Sequence, residues 1–350
     1  MRSSPRLTFF CELEAAALTE LFEDPALLPE LVALGCGISL GILDCSPERA
    51  SVVRQLNRAG IPVIGWLLLA RDQGYWLNLG NASQALARYD EFRAWTARHR
   101  LCWAGVGLDI EPDIREVECL LLRRWRLLPA LLSHAFDTGR LREGQRAYEA
   151  LVAQVHADGY RVESYQFPFI VDERRAGSTL LQRVGGLVDV PADCEVLMVY
   201  TSFLRPNGPG ILWSYAPDAQ AIGVGSTGGG VRVGKLAESL PLNWSELSRD
   251  LRLARYWCDS IYIFSLEGCI RQDILPRLRA MDWSDPAGIP VRAARRVQRV
   301  RGGLRVSLWA GTHAAPILVG TLGLLWLLRR LALGLPPLTP AGRSCWHRCR

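Results

Sequence analysis

Eight short apolar runs, separated by segments with helical patterns, repeat along the first 283 residues of the chain. The runs are continuous rather than alternating in polarity, which is typical of parallel strands covered by helices on their outer face. Eight βα units in about 280 residues predict an α/β fold with a closed (β/α)8, or TIM, barrel over residues 1–283. The predicted strands are Leu7 to Leu13, Cys36 to Leu43, Pro62 to Leu69, Trp103 to Ile110, Tyr160 to Phe167, Glu195 to Thr201, Gln220 to Gly225 and Ser260 to Leu266.

Helical patterns fill most intervals between these runs. A doubly wound open sheet is the alternative, but it needs a glycine-rich loop after an early strand, and acidic residues follow the first run instead. The interval between Tyr200 and Gln220 is rich in proline and glycine, and we expect no good helix there. The predicted helices are Pro29 to Ala33, Pro47 to Ala59, Ala82 to His99, Ile114 to Ala135, Glu143 to His156, Leu180 to Val184, Ser245 to Trp257 and Asp273 to Met281.

The positive charge of the chain is concentrated at one end. The formal net charge is +6, from 41 Lys+Arg and 35 Asp+Glu. Eleven arginines and no acidic residue follow Gly288, so the preceding part has 30 basic residues and a net charge of −5. A mildly acidic body lacks the excess of basic residues that typically contacts the phosphates of nucleic acids, and we expect no nucleic-acid partner.

The C-terminal part divides into three predicted segments. Residues 284–305 read as an arginine-rich linker, residues 306–328 as a transmembrane helix with one ionisable residue, His313, and residues 329–350 as a basic tail. The second segment has the length needed to cross a bilayer, although a surface-lying amphipathic segment is the alternative. The N-terminus lacks the pattern of a secretion signal. We therefore expect a cytoplasmic body anchored to a membrane by its C-terminal helix.

Cysteine and histidine patterns favour neither a disulfide framework nor a metal site. The ten cysteines show no paired spacing in the body, which suits reduced, packed thiols. None of the five histidines follows a predicted strand. A histidine-ligated metal and a Ser-His-Asp triad are therefore not expected, and we predict no cofactor.

Two acidic residues close the fourth predicted strand. Side chains alternate along a strand, so Asp109 and Glu111 are expected to point into the barrel while Leu108 and Ile110 point to the helices. In such barrels the active site lies at the carboxyl ends of the strands. Mutual repulsion and partial burial should keep a proton on one of the two acids near neutral pH, as a general acid requires. A hydrogen-bonded core aspartate with a helix-capping glutamate is the alternative.

The run from Gly105 to Glu111 resembles the fourth-strand signature of family 18 glycoside hydrolases, the chitinase-like barrels. Met198-Val199-Tyr200 on the sixth strand is similar to the Met-x-Tyr of that family. The resemblance implies that Glu111 protonates the leaving glycosidic oxygen. It also implies that Asp109 orients the N-acetyl group of the substrate, that this group attacks the anomeric carbon, and that Tyr200 hydrogen-bonds it.

The sequence also departs from the family pattern. Ala104 and Gly107 stand where the family has earlier acidic residues, Thr201 follows the tyrosine, and the eighth strand supplies no tryptophan. The resemblance therefore favours a sugar-processing barrel more than a chitinase.

Other acidic residues near strand ends leave a second mechanism open. Glu267 follows the eighth strand and Glu163 lies within the fifth, while Glu12, Glu14, Asp44, Asp172 and Glu173 read as helix caps or ion-pair partners. A separation of ~5 Å between Glu111 and Glu267 or Glu163 would suit a retaining double displacement, and ~6.5–9.5 Å would suit inversion. The glycine-rich segment from Gly223 to Gly230 is a further candidate, for phosphate binding through backbone N–H groups.

Several aromatic and polar residues are candidates for carbohydrate subsites, because sugar rings stack on aromatic faces. Two rival functions remain: a non-catalytic, membrane-tethered barrel that binds a glycan or a protein, and a phosphoesterase-type barrel with Asp109, Glu111 and Glu267 around Mg²⁺. The predicted substrate-binding residues are Trp66, Tyr75, Trp76, Asn78, Tyr165, Trp213 and Glu267.

Overall fold

A computed structural model of the chain describes residues 4–121, 133–231, 233, 240–285, 287–313 and 325. Its eight strands are all parallel, each pairs with the next, and β1 pairs with β8 to close the barrel. The prediction of a (β/α)8 barrel is confirmed. The strands are β1 (Arg6–Cys11), β2 (Gly37–Ile42), β3 (Val63–Leu67), β4 (Gly105–Asp109), β5 (Val162–Gln166), β6 (Cys194–Val199), β7 (Ala221–Gly225) and β8 (Ser260–Phe264).

Helices follow the strands and cover the outside of the barrel. The sequence patterns miss α1, α7, α9, α11 and α13 below, and residues 122–132 of the predicted helix from Ile114 to Ala135 lie outside the described residues. The helices are α1 (Ala15–Phe22), α2 (Leu27–Leu34), α3 (Pro47–Arg58), α4 (Ala82–His99), α5 (Ile114–Leu121), α6 (Thr138–Ala157), α7 (Ile170–Arg175), α8 (Leu180–Gly185), α9 (Gly208–Tyr215), α10 (Trp244–Arg255), α11 (Leu266–Arg271), α12 (Leu275–Arg279) and α13 (Val291–Thr312).

Alternation along the strands separates an inner core from an outer one. Leu108 and Ile110 pack in the outer core between strands and helices, as predicted. Inside the barrel, Phe10 contacts Trp66 and Tyr165 with ring centroids 5.2 and 4.8 Å away. Gly107 gives Tyr165 its space, because a Cβ at this position would lie 2.4 Å from the tyrosine hydroxyl oxygen. Gly107, which stands where the family resemblance predicts an acidic residue, therefore has a packing role.

The interval between Tyr200 and Gln220 differs from the sequence expectation, since it contains helix α9. Pro209 lies within the first turn of α9, where the missing N–H of proline has no intrahelical partner to lose. A Cβ on Gly210 would lie 2.6 Å from the Cβ of Ala293. The glycine that argued against a helix instead permits close packing of α9 against α13.

The arginine-rich segment also differs from an extended linker, because α13 occupies residues 291–312. Arg301 is buried and forms an ion pair with Asp172, so α13 is docked on the barrel. Within the described residues, no helix is long and apolar enough to cross a membrane. Residues 314–324 and 326–350, which include most of the predicted transmembrane segment, lie outside the described residues.

Candidate active site

A cavity of about 1630 Å³ lies at the carboxyl ends of the strands. Acidic side chains from the ends of β1, β4 and β8 reach it together with aromatic side chains from β3, β6 and β8. A cavity with an apolar aromatic lining and a few converging polar groups is the usual form of a small-molecule site. The acidic and aromatic residues that line it include Glu12, Trp66, Trp76, Asp109, Glu111, Tyr200, Phe264 and Glu267.

Asp109 and Glu111 both face this cavity, as the alternation along β4 predicts. Asp109 is buried, whereas Glu111 is only partly exposed, toward the cavity. Burial raises the pKa of Asp109 well above its usual range, and the negative charge of Glu111 raises it further. Burial also raises the pKa of Glu111, and the hydrogen-bonding interaction with Asp109 partly opposes that rise. Two coupled carboxyl groups with raised pKa values hold a proton between them near neutral pH.

Trp66 orients Asp109. Its indole Nε1 donates a hydrogen bond of 3.1 Å to Asp109 Oδ2. The other oxygen, Oδ1, is buried and accepts no hydrogen bond from a donor that the structure describes. Trp66 itself is buried against Phe10 in the barrel. It therefore positions the aspartate, and its ring is not free as a stacking surface for a sugar.

Tyr200 follows β6 and borders the same cavity. Burial raises the pKa of its hydroxyl, and the charges of Asp109 and Glu111 add to the effect, so the group is a neutral donor at ordinary pH. The ring of Phe264 lies beside it with a centroid distance of 5.4 Å. Phe264 is an aromatic surface of the cavity that the sequence analysis did not select, although it closes β8 on the inward side.

Glu12 is the main functional candidate that the sequence analysis assigned to a cap. Its carboxylate lies in the cavity and accepts a short hydrogen bond from the Tyr75 hydroxyl. Burial raises the pKa of Glu12 to about 7, the hydrogen bond from Tyr75 opposes this rise, and the charge of Glu267 adds to it. The alternation that places Asp109 and Glu111 inward also places Thr8, Phe10 and Glu12 inward, and this was the available signal.

Replacing Tyr75 with phenylalanine is expected to raise the pKa of Glu12 beyond about 7, because the variant lacks a hydrogen bond that stabilises the ionised carboxylate. The variant should therefore lose more stability as the pH rises through 7. We expect a cost in unfolding free energy of about 0.5–1.5 kcal/mol when Glu12 is protonated and about 1.5–3 kcal/mol when it is ionised. Urea denaturation on either side of pH 7 measures the difference.

Tyr148→Phe is the matched control for this prediction. The hydroxyl of Tyr148 is buried and donates a 3.0 Å hydrogen bond to the carbonyl of Asn78, which does not titrate. Its removal should cost the same free energy at both pH values. A pH-independent cost in the Tyr75 variant as well would contradict the pairing of Tyr75 with an ionising Glu12.

Glu267 lies at the start of α11 and borders the cavity. It is only 5% exposed, and neither carboxylate oxygen accepts a well-aligned hydrogen bond from the described residues. Burial raises its pKa, although its own backbone N–H, the Ser265 hydroxyl and the Gly230 N–H lower it in part.

The glycine-rich segment after β7 lies against these acids. A Cβ at Gly229 would be 2.3 Å from Glu267 Oε1, and a Cβ at Gly230 would be 2.7 Å from Glu12 Oε2. Both glycines have positive φ values, of +98° and +77°. Side chains are therefore excluded here on two grounds, conformation and space. The backbone of this segment approaches protein carboxylates, which disfavours the phosphate site suggested by the sequence.

Four other residues singled out by the sequence do not line the cavity, namely Tyr75, which contacts Glu12 through its hydroxyl, and Asn78, Trp213 and Glu163. The Asn78 side chain accepts a hydrogen bond from Gly80 N–H within its own loop. Trp213 lies on α9 and packs against Tyr256 and Trp257. Glu163 accepts hydrogen bonds from the hydroxyls of Tyr262 and Tyr165, at 2.7 and 3.3 Å.

Tyr165 does reach the cavity, but it is fully buried and its hydroxyl also pairs with Ser39. Trp76 also borders the cavity, and its ring packs edge-on against Tyr75 with ring centroids 5.6 Å apart.

Across the parts of the chain that are described, no group of three or more histidine, cysteine, aspartate or glutamate side chains is arranged to hold a metal ion. Asp109, Glu111 and Glu267 share the cavity but do not form such a cluster. The geometry thus gives the Mg²⁺ phosphoesterase hypothesis no support.

Comparison with known proteins finds no matching family model and no matching curated protein. Among solved structures, the chain is similar to a chitinase from Chromobacterium violaceum, with 12% identity over 80% of this chain and 100% of that one and a TM-score of 0.44. It is similar to D-allulose 3-epimerase from Methylomonas, with 11% identity over 86% and 99% and a TM-score of 0.42. Saccharomyces cerevisiae Gas2p in complex with laminaritriose and laminaritetraose matches with 13% identity over 82% and 66% and a TM-score of 0.37.

Proposed function

We propose that this protein is a glycoside hydrolase-like barrel that cleaves a glycan, with Glu111 as the general acid. The observation that carries this proposal is the Asp109–Glu111 pair, in which a buried and a partly exposed carboxyl group face the same cavity. A glycosidic oxygen is a poor leaving group unless it is protonated. A carboxyl group whose pKa is raised by burial remains able to supply that proton near neutral pH.

The surrounding residues support a role for Asp109 and Tyr200 in holding the substrate. Trp66 fixes one oxygen of Asp109, and the other has no described donor, so it can accept a hydrogen bond from a bound sugar amide. Tyr200 borders the same cavity as a neutral hydroxyl donor. This arrangement suits a substrate whose own N-acetyl group attacks the anomeric carbon, as the family 18 resemblance implies.

Glu12 supports a second mechanism, in which a protein carboxylate replaces the N-acetyl group as nucleophile or base. It lies in the same cavity as Glu111, and its charge raises the pKa of Glu111. We therefore assign to Glu12 the role of the second carboxylate, for which the sequence suggested Glu163 or Glu267.

The Glu12→Gln variant separates the two mechanisms. If the substrate assists its own cleavage, kcat should stay within about tenfold of wild type. The alkaline limb of the pH–rate profile should then move to lower pH, because removal of the Glu12 charge lowers the pKa of Glu111. If Glu12 is the nucleophile or base, kcat should fall by about 10²–10⁴-fold. Initial rates across the pH range distinguish the outcomes.

The proposal is tested first by incubating the full chain with a panel of chitin and β-glucan oligosaccharides and separating the products by chromatography. Hydrolysis should persist with a chelator, since acid catalysis by carboxyl groups needs no metal. Binding of an oligosaccharide without any product would instead favour the non-catalytic glycan-binding barrel. Association of residues 306–328 with a membrane stays a prediction of the sequence.

A further inference from the structure

The candidate cavity carries more acidic side chains than the proposed acid catalysis uses. Glu12, Asp109, Glu111 and Glu267 surround its floor, and Glu20 and Asp24 also border it. Among the described residues that line the cavity, Arg271 is the only cationic side chain. Its Nε donates to the backbone carbonyl of Glu267, and its charge lowers the pKa of Glu267.

Glu267 has no role in the mechanism above. Its own backbone N–H, the Ser265 hydroxyl and the Gly230 N–H lie near enough to lower its pKa, but within the described residues neither of its oxygens accepts a well-aligned hydrogen bond. Ser265 is the nearest hydroxyl, but its proton is donated to the carbonyl of Gly228 at 2.5 Å. Both Glu267 oxygens remain without a well-aligned donor in the described part of the chain. A buried carboxylate in that condition costs free energy unless a donor or a positive charge arrives from outside.

The cavity is the space through which such a donor can reach Glu267. Glu267 borders the cavity, and the backbone of Gly229 packs against its carboxylate. Rings of Tyr200 and Phe264 lie in the same cavity, and aromatic faces attract cations as well as sugar C–H groups. A ligand that is both a sugar and a cation matches the acidic and the aromatic surfaces together.

We propose that the cavity binds an amino sugar with a free, protonated amine, and that the ammonium group pairs with Glu267. This inference rests on the proposed glycan-cleaving function and names the substrate class. An N-acetyl group on the sugar at Asp109 is compatible with a free ammonium group on a neighbouring sugar, as in a partly deacetylated polymer. The hydroxyl groups of a neutral glycan can donate hydrogen bonds to Glu267, but only an ammonium group also compensates its negative charge.

The test compares matched oligomers of glucosamine and N-acetylglucosamine by calorimetry at about pH 6, where the free amine is protonated. The wild-type chain should bind the glucosamine oligomer more tightly. Glu267→Gln should weaken that binding roughly 10- to 100-fold, because it removes a charge-assisted pair. Binding of the N-acetylated oligomer should change little, which also shows that the variant is folded.

Glu23→Gln is the matched control, since it removes the same charge from an exposed residue that does not line the cavity. It should leave both affinities unchanged. Equal affinities of the wild type for the two oligomers, or equal losses for both in Glu267→Gln, would overturn the inference.

The same ligands separate failure of this inference from failure of the proposed function. Hydrolysis of oligosaccharides without preference for a free amine would leave the hydrolase standing and refute the amino-sugar class. Charge-selective binding that depends on Glu267, with no hydrolysis of any oligomer, would refute the hydrolase and leave the ligand class standing.

Discussion

Replacing Glu111 with glutamine is expected to lower kcat by about 10²–10⁴-fold on any glycan that the protein cleaves. Glutamine keeps the shape of the side chain but has no proton to give to the leaving oxygen. Because Glu111 faces the cavity and a neutral residue there removes like-charge repulsion with Asp109, the variant should fold and still bind the oligosaccharide. Steady-state rates and calorimetric binding measured on the same preparation check both parts.

Glu118→Gln is a control on the following helix, α5. Glu118 pairs with Arg71 in an ion pair whose two side chains are 30% and 50% exposed, and it does not line the cavity. Loss of such a pair typically costs at most about 1 kcal/mol of stability and should not change kcat. Equal rates for wild type and Glu111→Gln would refute Glu111 as the acid.

The pH profile provides an independent check on Glu111. A general acid must be protonated, so the rate should fall as the pH rises through the pKa of Glu111. That pKa is raised by burial and by the charge of Glu12, so the fall belongs above the usual range of a glutamate. Glu111→Gln should remove this alkaline limb from whatever activity remains.

The repetition of apolar runs was sufficient to predict the barrel, because parallel strands covered by helices need nearly continuous apolar sequence. The inward direction of Asp109 and Glu111 followed from alternation alone. Glu12 obeys the same alternation, but its partner Tyr75 lies 63 residues away and nothing local reveals the contact. The local sequence pattern therefore predicts which side of a strand a carboxyl group faces. The residues that it contacts come from distant parts of the sequence, and only the closed barrel shows them.

The errors in the aromatic subsites have a related cause. The glycine and proline residues before Trp213 predict a loop, whereas α9 forms and carries its ring against Tyr256 and Trp257. Asn78 lies close in sequence to aromatic candidates, but its amide stabilises its own loop. Aromatic residues that bind sugars and aromatic residues that pack in the core are of the same residue types, so the sequence alone does not distinguish them. The packing of the helices determines which role each residue has.

In the arginine-rich segment, too, the sequence does not reveal whether a charged side chain is exposed or buried. Its arginines suggested a solvated linker, but Arg301 is buried between α13 and the barrel. Its guanidinium donates to both oxygens of Asp172, at 3.1 and 2.9 Å from Nε, and to Asp218 at 2.7 Å. It also lies 3.8 Å from the ring centroid of Tyr215. These partners lie 83 or more residues away in sequence.

Arg301→Ala is therefore expected to lower the unfolding free energy by about 3–5 kcal/mol, because it leaves Asp172 buried without its main counter-charge. Arg305 lies 3.7 Å from Asp172 and cannot replace the two-pronged contact. Arg301→Lys should recover only part of the loss, since an ammonium group lacks the planar fork. Urea denaturation of the full chain measures the series.

Arg299→Ala is the matched control, because Arg299 is exposed on the same helix and its substitution removes the same charge. Its cost should stay within about 0.5 kcal/mol. A large loss in Arg301→Ala alone would mean that α13 belongs to the folding unit of the barrel, so that part of the positive charge at this end of the chain serves internal pairing. Equal small losses in both variants would mean that α13 contributes little to stability and that the barrel ends, as the sequence suggested, near residue 283.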